Sequence, residues 1–276
     1  MATPKVIIVT GANRGIGLAI CKRILTTQPS ISPLKLFAAS RAGVDLGLQS
    51  NHATRSVIYP KLDISDKKSV RDFAEEVSQY GSVDVLINNA GINLDNEYNY
   101  ENAKKTIDVN YHATIDMCQT FIPLLSTHGR IVNLSSVASS LHPYPEATRV
   151  IFRDPTNNLE TLSDMADAFL HSVQSGKEVE SGFGPPNRSY SVSKSLLNAA
   201  TAVLARQTPG LVINACCPGW VATDMGVLVG AKPPKTPEQG ASVPLRLAFG
   251  ELGGVTGRYW ANASIRGKGE GELQEW

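Results

Sequence analysis

The sequence predicts an α/β protein, a doubly wound parallel sheet of seven strands with helices on both sides. Three observations carry the prediction. Seven strand-length apolar runs recur along the 276 residues, stretches of helix length separate them, and the runs are rich in Val, Ile and Leu throughout instead of alternating with polar residues. Strands of that kind are buried on both faces, and parallel neighbours need a crossover helix to return the chain.

In order, strands are expected at 5–10 (KVIIVT), 34–40 (LKLFAAS), 56–62 (SVIYPKL), 83–88 (VDVLIN), 129–136 (GRIVNLSS), 211–217 (LVINACC) and 254–260 (GVTGRYW). The rhythm breaks from about 139 to 187, which carries Pro143, Pro145, Pro155, Pro185 and Pro186 and no strand. An unstructured loop of that length is foreign to a compact domain. The segment therefore reads as an insertion with its own helix at 159–173, inside a single domain spanning 1–276. Leu159, Leu162, Met165, Ala166, Phe169 and Leu170 recur there at helical spacing, an apolar stripe that must be buried somewhere.

Composition narrows the function. The 26 basic and 25 acidic residues nearly cancel and form no Lys/Arg block, which argues against nucleic acid as a partner. No apolar run approaches the roughly 18 residues of a membrane span. The opening MATPKVIIVTGA reads as strand and turn, not as a signal peptide, so a cytoplasmic protein is expected. Cys21, Cys118, Cys216 and Cys217 fit neither a disulfide framework nor a zinc site, and no metal is expected. Cys217 reads as a buried strand-end residue or as a reactive thiol at the substrate mouth. His112 and His142 lie near the motifs below, but no G-x-S-x-G elbow accompanies them, which argues against a hydrolase.

The motif that carries chemistry first is TGANRGIG at 10–17, between the first strand and the first helix. Ligands of such sheets bind outside the carboxyl ends of the strands. Glycine lets the backbone approach a pyrophosphate, and a helix N-terminus offers it N–H groups. Alone, the turn is either a nucleotide site or a plain strand-to-helix connection. NNAG (88–91), NLSS (133–136), YSVSK (190–194) and PGWVATD (218–224) follow in order at later strand ends. Together these five motifs resemble the short-chain dehydrogenase/reductase family, from Val6 to about Tyr259.

The resemblance implies a Rossmann fold and a dinucleotide site built from Gly11, Asn13, Arg14, Gly15, Ile16 and Gly17. Asn89, Ala90 and Gly91 would back the nicotinamide ribose, Lys194 would reach its hydroxyls, and Pro218, Gly219, Val221 and Thr223 would meet the carboxamide end. Asp63, with Ile64, would contact adenine, although Asp63 reads equally well as a helix cap ahead of Ser65 and Asp66. NAD-binding proteins end the second strand with a carboxylate for the ribose 2′-OH, whereas an Arg suits a 2′-phosphate. Ser40 and Arg41 stand there, and Arg14 adds a second cation, so NADPH is the expected cofactor.

A tyrosine hydroxyl is a poor acid at neutral pH unless a cation stabilises its phenolate. Tyr190 and Lys194 are four apart, on one helix face, so Lys194 is expected to lower the Tyr190 pKa. By the resemblance, Tyr190 protonates a carbonyl oxygen while C4 of the nicotinamide delivers hydride, with Ser136 as second donor. Asn110 would distort its helix and hold a water linking Lys194 to solvent. The expected activity is NADPH-dependent reduction of a small ketone, aldehyde or quinone. Imine or enone reduction, alcohol oxidation, or a non-catalytic NADPH sensor docking through 139–187 are the alternatives. The insertion, CCPGW and the ending GW…TDM resemble the carbonyl reductase subgroup, whose insertion lies against a dimerisation helix, so a monomer is expected. Residues after NNAG and within 139–187 depart from that subgroup. The stretch 220–236, apolar with glycine and a Pro-Pro stop, reads as a mobile lid.

Overall fold

In the structure, a computed structural model that describes residues 3–27, 33–228 and 230–276, both faces of the first strand are buried. β1 (Lys5–Thr10) sends Val6 and Ile8 into one apolar layer and Ile7 and Val9 into the other. That is why the run reads as continuously apolar: successive side chains of a strand point to opposite faces, and here both are covered.

The remaining strands are β2 (Leu34–Ala39), β3 (Arg55–Ile58), β4 (Val83–Asn88), β5 (Leu125–Leu134), β6 (Val212–Cys216), β7 (Tyr259–Ala261) and β8 (Glu272–Gln274). They form one sheet in the order β3-β2-β1-β4-β5-β6-β7-β8. Winding reverses between β1 and β4, so the carboxyl ends of these two strands open the crevice in which such sheets bind ligands. Helix α1 (Gly15–Thr27) lies on one face with α9 (Ser242–Phe249). The other face carries α2 (Lys67–Ser78), the long helix built from α3 (Tyr100–Ile107) and α4 (Thr114–Phe121), and α7 (Ser189–Gln207).

The structure departs from the expected seven parallel strands at several points, among them β5, which runs Leu125–Leu134 and not 129–136. An eighth strand, β8, pairs antiparallel with β7 and sets Leu273 opposite Trp260. Three residues in GELQEW carry no period that could announce a strand, and an antiparallel edge needs only one apolar face. The third strand stops at Ile58 instead of Leu62, because Pro60 has no N–H for a ladder and only an isolated bridge from Ser40 to Lys61 continues the pairing. The seventh begins at Tyr259 instead of Gly254, since Gly254 and Gly257 adopt φ of 76° and 72°, outside strand geometry.

The segment expected to carry one helix carries two, α5 (Glu146–Arg153) and α6 (Leu159–Ser175). Proline is compatible with a helix start, and α5 begins directly after Pro145. In α6 the Asn158 side chain caps the Thr161 amide at 2.8 Å, and Gly176, with φ of 66°, closes the other end. The apolar stripe of α6 is buried at Leu162, Met165, Ala166, Phe169 and Leu170, against α3 and α7. Edge-to-face packing of Phe169 on Phe183 fastens the end of the insertion to the same layer.

Candidate active site

Outside the carboxyl ends of β1, β4, β5 and β6 lies a cavity of about 420 Å³. The glycine turn supplies one wall through Gly11, Asn13, Arg14, Gly15 and Ile16. Arg41, Asp63 and Ile64 line one end, Asn89, Ala90 and Gly91 the floor, and Tyr190, Lys194, Pro218 and Thr223 the other end. Three residues expected in this wall stand behind it. A Cβ on Gly17 would lie 2.3 Å from the Gly11 carbonyl oxygen and 2.5 Å from Asn89 Nδ2, so glycine there lets helix α1 close on the strand ends. Gly219, at φ of 86°, is hemmed in by the Ile265 carbonyl and Lys235, and the Val221 side chain packs against Gly240.

The NNAG loop is fastened to the glycine turn. Thr10 Oγ1 accepts the backbone N–H groups of both Asn89 and Ala90 at 3.0 Å, while Asn89 Nδ2 donates to the Thr10 and Gly11 carbonyls at 2.9 and 3.1 Å. Two sequence motifs 79 residues apart thus form one rigid floor.

Arg41 lines the cavity near Asp63, and Arg14, in the glycine turn, lines it too and pairs with Asp224 at 2.5 Å, both side chains of that pair largely exposed. Asp63 both lines the cavity and forms a turn, accepting from the Ser65 amide at 3.0 Å and its hydroxyl at 2.6 Å. Burial lifts the Asp63 pKa, but the two Ser65 hydrogen bonds and the nearby Arg41 charge outweigh it and hold the carboxyl below its usual range. The cap of α2 is Asp66, which accepts from the Lys68 amide at 2.8 Å.

At the other end, α7 carries Tyr190 and Lys194. Tyr190 is half-buried and Lys194 is buried. Lys194 Nζ donates to the Leu134 carbonyl at 2.7 Å and lies 5.6 Å from the Tyr190 ring centroid. Burial pushes the Tyr190 phenol up to about 12, Ser136 beside it draws it back, and Cys217 and Asp95 add to the rise. The expected lowering by Lys194 is therefore not met in this state, in which that ammonium is turned to the β5 carbonyl. Burial in turn lowers the Lys194 ammonium to about 8.

Ser136 accepts from the Ala138 amide at 3.1 Å and caps the short turn that follows β5. Between α3 and α4 the helix widens into a π-helical turn, Asp108–Ala113, which contains the fully buried Asn110. Such widened turns frequently mark functional sites. The Asn110 amide brackets Ile92, accepting from its N–H and donating to its carbonyl, both at 2.8 Å, and donates to Ser193 Oγ at 3.1 Å. A Cβ on Gly91 would stand 3.1 Å from Asn110 Oδ1 and 3.7 Å from Lys194 Nζ, so these two groups flank the same glycine.

Cys217 is a fixed structural thiol. Its sulfur accepts from the amides of Val137 at 3.2 Å and Gly219 at 3.3 Å, tying the serine loop to the PGW turn, and burial raises its pKa. A thiol held in its neutral form is a poor nucleophile.

Ser135, expected only as a structural neighbour of Ser136, also lines the cavity, as do Lys105, Met225 and Asp224. Asp224 is legible as the end of PGWVATD, whereas nothing in INLDNE marks Asp95, which accepts from the Tyr190 amide. The stretch 220–236 has fixed feet: Val221 bridges Lys235, the Ala222 amide donates to the Lys235 carbonyl at 2.8 Å, and buried Lys235 Nζ reaches the Pro218 carbonyl at 2.7 Å. Its tip exposes Val227 and Leu228 around the short helix α8 (Asp224–Val227), and Val229 lies outside the described residues.

A profile of the family described as short chain dehydrogenase matches residues 5–148. The protein named carbonyl reductase [NADPH] 1 from Bos taurus is 35% identical, covering 88% of this chain and 90% of that one. The (+)-neomenthol dehydrogenase of Arabidopsis thaliana is 33% identical over 90% of this chain and 92% of its own. Among solved structures, salutaridine reductase from Papaver somniferum superposes with a TM-score of 0.79 at 26% identity, over 92% of this chain and 99% of that one. No helix among the described residues is long and apolar enough to cross a membrane.

Proposed function

This chain belongs to the short-chain dehydrogenase/reductase family, and from that premise we propose that it reduces the carbonyl of a small ketone, aldehyde or quinone with NADPH, with Tyr190 as general acid. The observation that carries the reading is that one cavity joins a glycine turn, two arginines, and the Tyr190–Lys194 pair at its far end. That layout fits an elongated dinucleotide with its 2′-phosphate near Arg41, within reach of Arg14 once that side chain leaves Asp224, and its nicotinamide beside Tyr190 and Lys194. NADPH would supply a hydride to the carbonyl carbon. Tyr190 gives its proton to the carbonyl oxygen, and Ser136 donates a second hydrogen bond to the charge developing there. Lys194, a cation below about pH 8, sets positive charge near the phenolate that remains. Asn110 and Lys194 flanking Gly91 support the reading of Asn110 as holder of a water that returns a proton to Lys194.

The test is the loss of NADPH absorbance against a panel of quinones, isatin-like diketones, cyclic ketones and aldehydes. Oxidation by at least one class is expected; tight NADPH binding with a silent panel would favour a sensor.

The same reading makes the protein a cytoplasmic monomer. Family dimers pair the helix before β5 and the tyrosine-bearing helix with their symmetry copies, and α6 already occupies α3 and α7 in cis. Light scattering during size exclusion is expected to give the mass of one chain, 29.6 kDa; a doubled mass would refute the monomer.

The fixed feet and exposed tip of 220–236 support a lid over the cavity mouth. Protease cleavage between residues 223 and 234 is expected to slow when NADPH and a substrate are added. Equal cleavage rates with and without ligands would make this stretch a rigid surface connection.

A further inference from the structure

The backbone of Tyr190 is held from both sides by residues of the loop that follows NNAG. Helix α7 begins without a side-chain cap of its own, since Arg188 makes no capping bond. The first N–H groups of a helix need partners from elsewhere. Asp95, 95 residues upstream, supplies one of them: one carboxylate oxygen accepts the Tyr190 amide at 3.1 Å, while the other accepts the hydroxyl of buried Ser189. A negative charge at this position also complements the positive end of the helix.

On its other side, the Tyr190 carbonyl accepts from Ser193 Oγ at 2.7 Å, and that oxygen accepts from Asn110 Nδ2 at 3.1 Å. Asn110 clamps Ile92 through both backbone groups, and three residues beyond Ile92 the chain arrives again at Asp95. The Asp95 amide is fixed by the Asn93 side chain at 3.0 Å, and the far end of the loop by Tyr98, whose hydroxyl donates to buried Glu178 of the insertion at 3.0 Å. The path Ile92, Asn110, Ser193, Tyr190, Asp95 is therefore closed.

We propose that Asp95 is a positioning residue for the proton donor, locking the Tyr190 turn through a closed hydrogen-bonded ring so that the pocket loop 92–99 sets where the phenol stands. The assignment rests on Tyr190 being the acid. The phenol lies at the end of a rigid side chain, so a small rotation of the first turn of α7 moves it out of reach of a carbonyl oxygen. Misplacement of a reacting group by about 1 Å costs on the order of 100-fold in rate. Burial chiefly opposes ionisation of the phenol, against the pull of Ser136, and Cys217 and this carboxylate add to it.

The experiment compares wild type, Asp95→Ala, Asp95→Asn and Ser193→Ala in kcat, NADPH dissociation constant and amide exchange of the first turn of α7. Asp95→Ala is expected to lose roughly 100-fold in kcat with NADPH affinity unchanged, and Asp95→Asn, which keeps an acceptor for the Tyr190 amide, to recover much of it. Combining Asp95→Ala with Ser193→Ala should cost less than the product of the single losses, because both open one ring. Exchange at the start of α7 should quicken in Asp95→Ala. Wild-type kcat in Asp95→Ala, or equal losses of kcat, NADPH affinity and thermal stability without rescue by Asn, would overturn the proposal. If wild type itself turns over no carbonyl, the proposed function fails, and the exchange comparison still decides whether Asp95 holds the turn.

Discussion

Replacing Tyr190 with phenylalanine is expected to abolish turnover while leaving NADPH affinity almost intact. The substitution keeps the ring and its half-buried packing and removes one hydroxyl, the group placed to give a proton to the carbonyl oxygen. General acid catalysis contributes about 10²–10⁴-fold, and Ser136 alone would be left to donate to the charge developing on the carbonyl oxygen. Burial holds the phenol up to about 12, so it carries its proton at neutral pH, and giving that proton up depends on positive charge near the phenolate. Lys194→Ala should weaken both turnover and cofactor binding, because its ammonium lines the cavity and satisfies the Leu134 carbonyl, which would be left buried without a donor. The check is steady-state kcat beside the NADPH dissociation constant for each variant. A substantial residual rate in Tyr190→Phe would mean that another group is the acid.

A clear preference for NADPH over NADH is the second large effect. Arg41 stands where a carboxylate would accept the ribose 2′-OH, and Arg14 lines the same cavity. Losing a charge-assisted phosphate contact costs about 1.5–3 kcal/mol, on the order of a 10- to 150-fold ratio of dissociation constants. Arg14 is paired with Asp224, but both side chains are largely exposed, and such a pair contributes little in water. A phosphate can therefore replace Asp224 at small cost. Arg41→Glu is expected to reverse the preference. Equal affinities for the two cofactors in wild type would remove the argument from charge.

The parts of this protein that were legible in sequence are those that a local pattern specifies. β1, β2 and β4 are legible to within a residue because burial on both faces makes most of their positions apolar, with Lys5, Lys35 and Asp84 near their starts. The glycine turn, NNAG, Tyr190 and Lys194 were legible because their chemistry requires fixed types at fixed spacing. What escaped depends on contacts between distant segments. The packing role of Gly17 is one such case, since its missing Cβ makes room for the Gly11 carbonyl and Asn89. Asp95 meets Tyr190 only after the sheet and the long bent helix have brought 92–99 to the start of α7, and a lone Asp in a polar loop carries no period. The direction of the Lys194 ammonium, toward Leu134 instead of the phenol, follows from the seating of α7 on β5 and not from the i,i+4 spacing.

The eighth strand bears on solubility at high concentration. A parallel sheet ending at β7 would present a free row of N–H and C=O groups beside Trp260, a template on which a second chain could add a strand. β8 occupies that row with three residues and ends the sheet in Glu272 and Gln274, with Glu275 next in sequence. Short, charged edges disfavour such pairing. Removing residues 272–276 is therefore expected to bring edge-to-edge aggregation well before it harms the cavity on the other side of β6.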